Sequence, residues 1–197
     1  ESYLHASIAC YIQANQKYYQ GDNVESERLL KESVNLAKQV IEVYPELGEG
    51  FYQHAKVSAL IGDAQSAIKS LERAIKIDRN YCLKVDIDRD FDSIRSNVLE
   101  LFQKFYLKAK EEAQKVLDEM RRLVENYVFV TDKAQKAKEN IEILLKKSEK
   151  CRQGDTYFDY LDISEYFVKA RDIHYSLGRQ QEILSKIYYA ELKQRDE

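Results

Sequence analysis

The stretch 51–78, FYQHAKVSALIGDAQSAIKSLERAIKID, decides the fold class of this chain. Apolar residues recur in it at spacings of three and four on both sides of Gly62 and Asp63, which is the period of one face of an α-helix. Glycine and aspartate are common where one helix ends and the next begins. The stretch therefore predicts two amphipathic helices joined by a tight turn.

Small and large side chains follow a fixed order in this stretch. An early aromatic residue, a small residue, a turn glycine and two further small residues around a large apolar one come in turn as Phe51, Ala55, Gly62, Ala67, Leu71 and Ala74. In this order the segment resembles a tetratricopeptide repeat, a helix pair of about 34 residues. The resemblance implies that the small residues let two helices approach closely and that neighbouring pairs stack.

A second helix pair is predicted upstream, because the glycine and aspartate at 21–22 lie 41 residues before those at 62–63. That separation is about 34 residues plus seven, and seven residues add about two helical turns without rotating the apolar face. The second helix of this pair is expected to be elongated and to stop before Pro45. Serines such as Ser33 stand where the family has alanines. Residues 1–81 are therefore predicted to form two tetratricopeptide-like pairs.

The segment 82–96 is predicted to be an acidic connector, because four aspartates alternate in it with other residues. Alternating aspartates occur in EF-hand calcium loops, but here neither register has the required glycine and glutamate. We therefore expect no metal and no other cofactor. Asp92 is expected to cap a helix that starts near Ser93. A similar acidic connector with a phenylalanine follows the last repeat in many prokaryotic tetratricopeptide proteins, which this chain resembles.

The segment 97–153 shows a different pattern. Its apolar and small residues alternate spacings of four and three in two runs, which is typical of a coiled-coil seam. The pattern predicts a long antiparallel helical hairpin that is inserted in the repeat array and turns near 128–132. The many alanines in the seam favour close contact between the two helices.

The segment 154–197 is predicted to form a C-terminal tetratricopeptide-like helix pair. Phe167, Gly178 and Ala190 fall there at the offsets of the aromatic, turn and small residues of the repeat at 51–78. The chain as a whole is therefore expected to be all-α. We predict a tetratricopeptide-like α-α superhelix with a long antiparallel hairpin and about seven or eight helices.

Composition limits the function classes. Acidic and basic residues are interspersed and the net charge is −3, so the chain has no overall field that attracts nucleic acid. No apolar run reaches the roughly 20 residues that span a bilayer, so no membrane partner is expected. Three cysteines lie far apart, outside any zinc or disulfide pattern: Cys10, Cys82 and Cys151. This usage predicts reduced thiols and a cytoplasmic location.

The sequence also predicts that the chain is not an enzyme. No glycine-rich phosphate loop and no nucleophile signature occur in it. Its three histidines are His5, His54 and His174. The last two fall at helix-packing positions of their repeats, which favours a structural role over general base catalysis.

The resemblance also implies where a partner binds. Tetratricopeptide repeats bind peptides in a concave groove that is lined by their first helices. The matching positions here are Tyr11, Asn15 and Tyr18 in the first repeat and Tyr52 and Lys56 in the second. Tyrosine gives a large rigid surface with a polar tip, as binding sites require. A second interpretation, that these rings pack against the following helices, stays open.

We therefore expect a protein–protein interaction module that binds a peptide or helix of a partner. The first alternative is a structural or oligomerisation segment of a larger multidomain protein that self-associates through the hairpin. A further alternative is nucleic-acid binding through residues 103–153, where basic residues outnumber acidic ones. Interspersed charge disfavours that alternative.

Overall fold

The computed structural model describes residues 2–125 and 132–195, with side chains as far as residue 179. These residues form eight α-helices and one 3-10 helix and contain no strand, which confirms the all-α prediction. The elements are α1 (Ser2–Tyr19), α2 (Asn23–Val43), α3 (Gly48–Leu60), α4 (Ala64–Ile77), α5 (Tyr81–Ile87), the 3-10 helix (Arg89–Ile94), α6 (Arg95–Glu125), α7 (Asp132–Gly154) and α8 (Tyr157–Arg195). The chain divides into two compact units, the first ending at Lys104 and the second beginning at Phe105.

The same turn joins α1 to α2 and α3 to α4. Gly21 and Gly62 have φ values of 82° and 84°, which glycine adopts without steric cost. The amide of the next residue, Asp22 or Asp63, donates to a carbonyl five residues earlier at 2.9 Å, as in a Schellman motif. Each aspartate carboxylate then accepts the amide three residues later and caps the following helix. One glycine–aspartate pair thus ends one helix and starts the next.

Small residues allow the helices of the first unit to cross closely. The alanines at the predicted small positions are fully buried: Ala14, Ala55, Ala67 and Ala74. Serines take this role where α1 crosses α2. The Ser33 hydroxyl donates to the Ser7 carbonyl at 2.8 Å, and the Ser7 hydroxyl donates to the Ser33 carbonyl at 2.9 Å. Both buried hydroxyls are satisfied, so the substitution of serine for alanine does not open the crossing.

The segment 82–96, predicted to be an acidic connector, is almost wholly helical. The predicted cap is wrong, because α6 begins at Arg95 and Asp92 accepts a hydrogen bond from its guanidinium at 2.7 Å. Asp88 caps the 3-10 helix instead, and its carboxylate accepts the amide of Asp90 at 3.1 Å. Alternating aspartates offer several equivalent caps, and local sequence does not select among them.

The second unit packs the C-terminal part of α6 against α7 and α8. Arg121 binds Glu149 at 3.2 Å and Arg152 donates to Gln114 at 3.4 Å, so α6 and α7 run antiparallel. The buried core is shared by all three helices: Ala109, Ala113, Leu117, Met120, Ile141, Tyr160, Ile163, Phe167 and Ala170. The turn predicted near 128–132 lies, except for its last residue, outside the described residues.

The predicted C-terminal helix pair is wrong. A single helix, α8, runs through Gly178 without a break. At the two observed turns an aspartate follows the glycine and caps the next helix, whereas Arg179 follows Gly178. Without a capping side chain the glycine is tolerated inside the helix at a cost of about 1 kcal/mol. The packing predicted for Ala190 concerns a side chain outside those described.

Candidate functional site

Three of the five predicted partner-binding residues lie together in the first unit. We call Tyr11 of α1 with Tyr52 and Lys56 of α3 the cradle. The Tyr52 hydroxyl donates to the Asp88 carboxylate at 2.5 Å, and the Tyr11 hydroxyl donates to the Asp90 carboxylate at 2.6 Å. The Lys56 ammonium pairs with these two carboxylates at 3.0 and 3.2 Å. The cradle therefore binds two carboxylates that the chain itself presents.

Lys56 is the centre of this network. Its side chain is 18% exposed, and its ammonium lies 5.0 Å from the centre of the Tyr11 ring and 5.8 Å from that of Tyr52. Burial alone would lower the pKa of Lys56, but the hydrogen bond and charge of Asp88 raise it. Burial acts to raise the pKa of Asp88, and hydrogen bonds from Tyr52 and Lys56 bring it below its usual value. The fold thus stabilises both groups in their charged forms.

Aromatic packing fixes the acidic segment on α3. Tyr52 is buried, and its ring centre lies 5.4 Å from that of Tyr81 and 5.9 Å from that of Phe91. Phe91 is fully buried. Burial, followed by the hydrogen bond to Asp88, raises the pKa of Tyr52. The Tyr52 ring is therefore a packing residue as well as a hydrogen-bond donor.

Arg95 holds the same segment from its C-terminal end. Its guanidinium donates to the carbonyls of Val85, Asp86 and Asp88 at 3.1, 3.2 and 2.9 Å. It also donates to the Asp92 carboxylate at 2.7 Å. Because these acceptors converge on one planar guanidinium, the backbone that presents the two carboxylates is held in place.

The other two predicted residues lie outside the cradle. Asn15 is half-buried one helical turn after Tyr11. Tyr18 is 64% exposed, and its ring meets that of Tyr19 edge to face at 5.9 Å. The structure therefore places Asn15 beside the cradle, whereas Tyr18 lies at an exposed end of α1.

That exposed end belongs to a longer feature, which we call the α1 stripe. Its members recur at helical spacing along one face of α1: Leu4, Ile8, Tyr11, Ile12, Asn15, Tyr18 and Tyr19. Most members of the stripe are half-buried, whereas Ile12, Tyr18 and Tyr19 are 49%, 64% and 87% exposed. Sequence reasoning missed Ile12 and Tyr19, although their spacing of seven was a signal for a shared face.

The second unit has a polar cluster of its own around Asp155. This residue has a φ of 53°, and its carboxylate accepts hydrogen bonds from Tyr106 at 2.9 Å, from Lys110 at 2.8 Å and from Tyr160. Lys110 first, then the two phenols, lowers the pKa of Asp155 to about 2. A cleft of about 640 Å³ lies beside the cluster. The lining of this cleft includes ion pairs within the chain. The hydrogen bonds of Asp155 therefore serve to fix the start of α8.

Neither a metal-binding group nor a membrane-spanning helix occurs among the described residues. Over residues 2–125 and 132–179, whose side chains the structure describes, no group of three His, Cys, Asp or Glu side chains could hold a metal ion. Over the same residues no helix has the length and apolar character that crossing a membrane requires. A comparison with protein-family models, curated proteins and solved structures gave no match. The features that bear on function are therefore the cradle and the α1 stripe.

Proposed function

We propose that this chain is a non-catalytic protein-interaction module that holds a helix or peptide of a partner protein along α1. The α1 stripe is the observation that supports this function. Tyr18 and Tyr19 expose more than half of their surface and Ile12 exposes 49%, all on one helix. Contiguous exposed apolar surface is typical of interaction sites, and its burial contributes about 25 cal/mol per Å².

The form of the stripe favours a helical or extended partner segment. Its members repeat every three or four residues from Leu4 to Tyr19, which matches the anchor spacing of helix-in-groove recognition. Two tyrosines at its exposed end add rigid contact area with polar tips. The resemblance of the two helix pairs to tetratricopeptide repeats supports the same class, since that family binds peptides through its first helices.

The test compares two double variants of the full chain. Ile12→Glu with Tyr19→Glu places charge in the stripe, and Ile87→Glu with Leu99→Glu makes the same change at exposed positions outside it. Partners are captured from the cells that produce the protein, and the affinity of the purified partner is then measured. The stripe variant should weaken binding by about 2 kcal/mol or more. Equal affinity of the two variants would rule out the stripe as the binding surface.

An oligomerisation segment is the second candidate, because an apolar helical stripe also complements a second copy of itself. Light scattering at micromolar concentration separates the two functions. A monomer supports binding of a different protein. A dimer that dissociates in the Ile12→Glu, Tyr19→Glu variant supports self-association through α1, and a dimer that persists in it places the contact elsewhere.

A further inference from the structure

One cleft of the first unit is lined mainly by basic and apolar side chains. It lies among α2, α3 and α4 and has a volume of about 530 Å³. Lys38, Lys69 and Arg73 line it against one acidic side chain, Glu42. We call it the basic cleft. Its volume is in the range of small-molecule sites.

Two of the three cations of the basic cleft lack an ion pair with any described residue, whereas the third, Arg73, pairs with Glu46 at 2.8 Å. Lys38 and Lys69 are exposed and make no ion pair or hydrogen bond with any other residue that the structure describes. Other lysines of the same two helices are paired: Lys31 with Glu27 at 2.6 Å and Lys76 with Glu72 at 2.7 Å. Two ammonium groups without an ion pair at one cleft favour an anion there.

A buried polar atom adjoins this charge. His54 lines the cleft and is 5% exposed, and its Nδ1 is hydrogen-bonded to the Ser70 hydroxyl at 2.8 Å. Its Nε2 is buried and has no hydrogen-bond partner among the described residues. A buried polar atom without a partner is costly, so a ligand that accepts a hydrogen bond from it is favoured.

The cleft also has an apolar side. Phe51 and Ile41 line it, and the Arg73 guanidinium lies 5.9 Å from the centre of the Phe51 ring. A ligand that filled the cleft would therefore meet an aromatic face beside the cations. This combination suits an anion that carries a flat or apolar group rather than a bare ion.

We propose that the basic cleft binds an organic phosphate, with Lys38 and Lys69 around the phosphoryl oxygens, His54 beneath them and the carbon part of the ligand against Phe51. A phosphoryl group offers several strong acceptor oxygens and up to two negative charges, which matches two unpaired ammonium groups and an imidazole. This site lies on a different face of α3 from the cradle, and it does not depend on the function proposed for α1.

Calorimetry on the full chain tests the site with phenyl phosphate, which joins one phosphoryl group to one ring. Phenyl phosphate should bind saturably and more tightly than inorganic phosphate, and phenol should not bind. Lys38→Met with Lys69→Met should weaken binding about tenfold or more. Lys31→Met with Lys76→Met removes the same charges from the same helices outside the cleft and should change it less than about twofold.

The NMR signal of the His54 imidazole gives a measurement that a change in surface charge elsewhere would not affect. In the nitrogen NMR spectrum of the three histidines, the Nε2 signal of His54, assigned by its loss in His54→Gln, should shift as phenyl phosphate binds. A phosphotyrosine peptide distinguishes a phosphate carried by a protein from a free organic phosphate. If the peptide binds more tightly than phenyl phosphate, the ligand is protein-borne; if it binds more weakly, the ligand is a free small molecule. Absence of saturable binding, equal loss in the two lysine variants, or an unmoved His54 signal would overturn the proposal.

Discussion

The cradle and the basic cleft use lysines of the same unit in opposite ways. Lys56 is largely buried and is paired with two carboxylates of the chain, at 3.0 and 3.2 Å. Lys38 is exposed and has no such partner among the described residues. α3 contributes to both places, with Tyr52 on one face and His54 on another. A lysine that is paired within the chain stabilises the fold, whereas an exposed lysine without an ion pair can pair with a ligand.

The largest expected effect separates the two tyrosines that sequence reasoning grouped together. Tyr52→Ala should lower the free energy of unfolding by about 3 to 5 kcal/mol, because it removes a buried ring from contact with Phe91. Tyr18→Ala, at an exposed ring, should change it by less than about 0.5 kcal/mol. Urea unfolding measures both values. Similar stability of the two variants would mean that Tyr52 is not part of the core.

The next effect concerns the two lysines. Lys56→Met should cost about 3 kcal/mol of unfolding free energy, because it leaves two carboxylates with little solvent and no cation. Lys38→Met should cost less than about 0.5 kcal/mol. The same urea experiment compares them. If Lys38→Met destabilised the protein as much as Lys56→Met, the contrast between fold and ligand site would be lost.

The smallest expected effect is the dependence of the cradle's stabilising contribution on pH. The folded pKa of Asp88 lies below its usual value of 3.8, so its stabilising contribution is present above that pH and is lost as the pH falls towards the folded value. The difference in unfolding free energy between wild type and Asp88→Asn should therefore shrink from pH 6 to pH 3. For Lys69→Met, which removes an exposed lysine of the basic cleft, the difference from wild type should stay nearly constant over that range.

Sequence reasoning recovered what depends on local pattern. The period of apolar residues predicted the helices, and the glycine–aspartate pairs at 21–22 and 62–63 predicted both turns of the first unit. The turn predicted at Gly178 was wrong, because the prediction considered the glycine alone. The residue after it is Arg179 and not a capping aspartate. A turn needs both residues, since one ends a helix and the other begins the next.

The candidate sites were less predictable because they depend on contacts between distant residues. Repeat positions placed Tyr11, Tyr52 and Lys56 on one face, but nothing local indicated that Asp88 and Asp90 would occupy it. His54 was correctly placed at a packing position. Its unpartnered Nε2 depends on which side chains surround it in three dimensions, and a single sequence does not give these.

The cradle has a further consequence for the rate at which the protein unfolds. Its hydrogen bonds join residues far apart in the chain, 79 positions for Tyr11 with Asp90 and 36 for Tyr52 with Asp88. Contacts that close long loops carry a large entropy cost and form late, after the local helix pairs. An interaction absent from the transition state slows unfolding without speeding folding. We therefore expect the cradle to slow unfolding, so Asp90→Asn should raise the unfolding rate while the folding rate stays nearly unchanged.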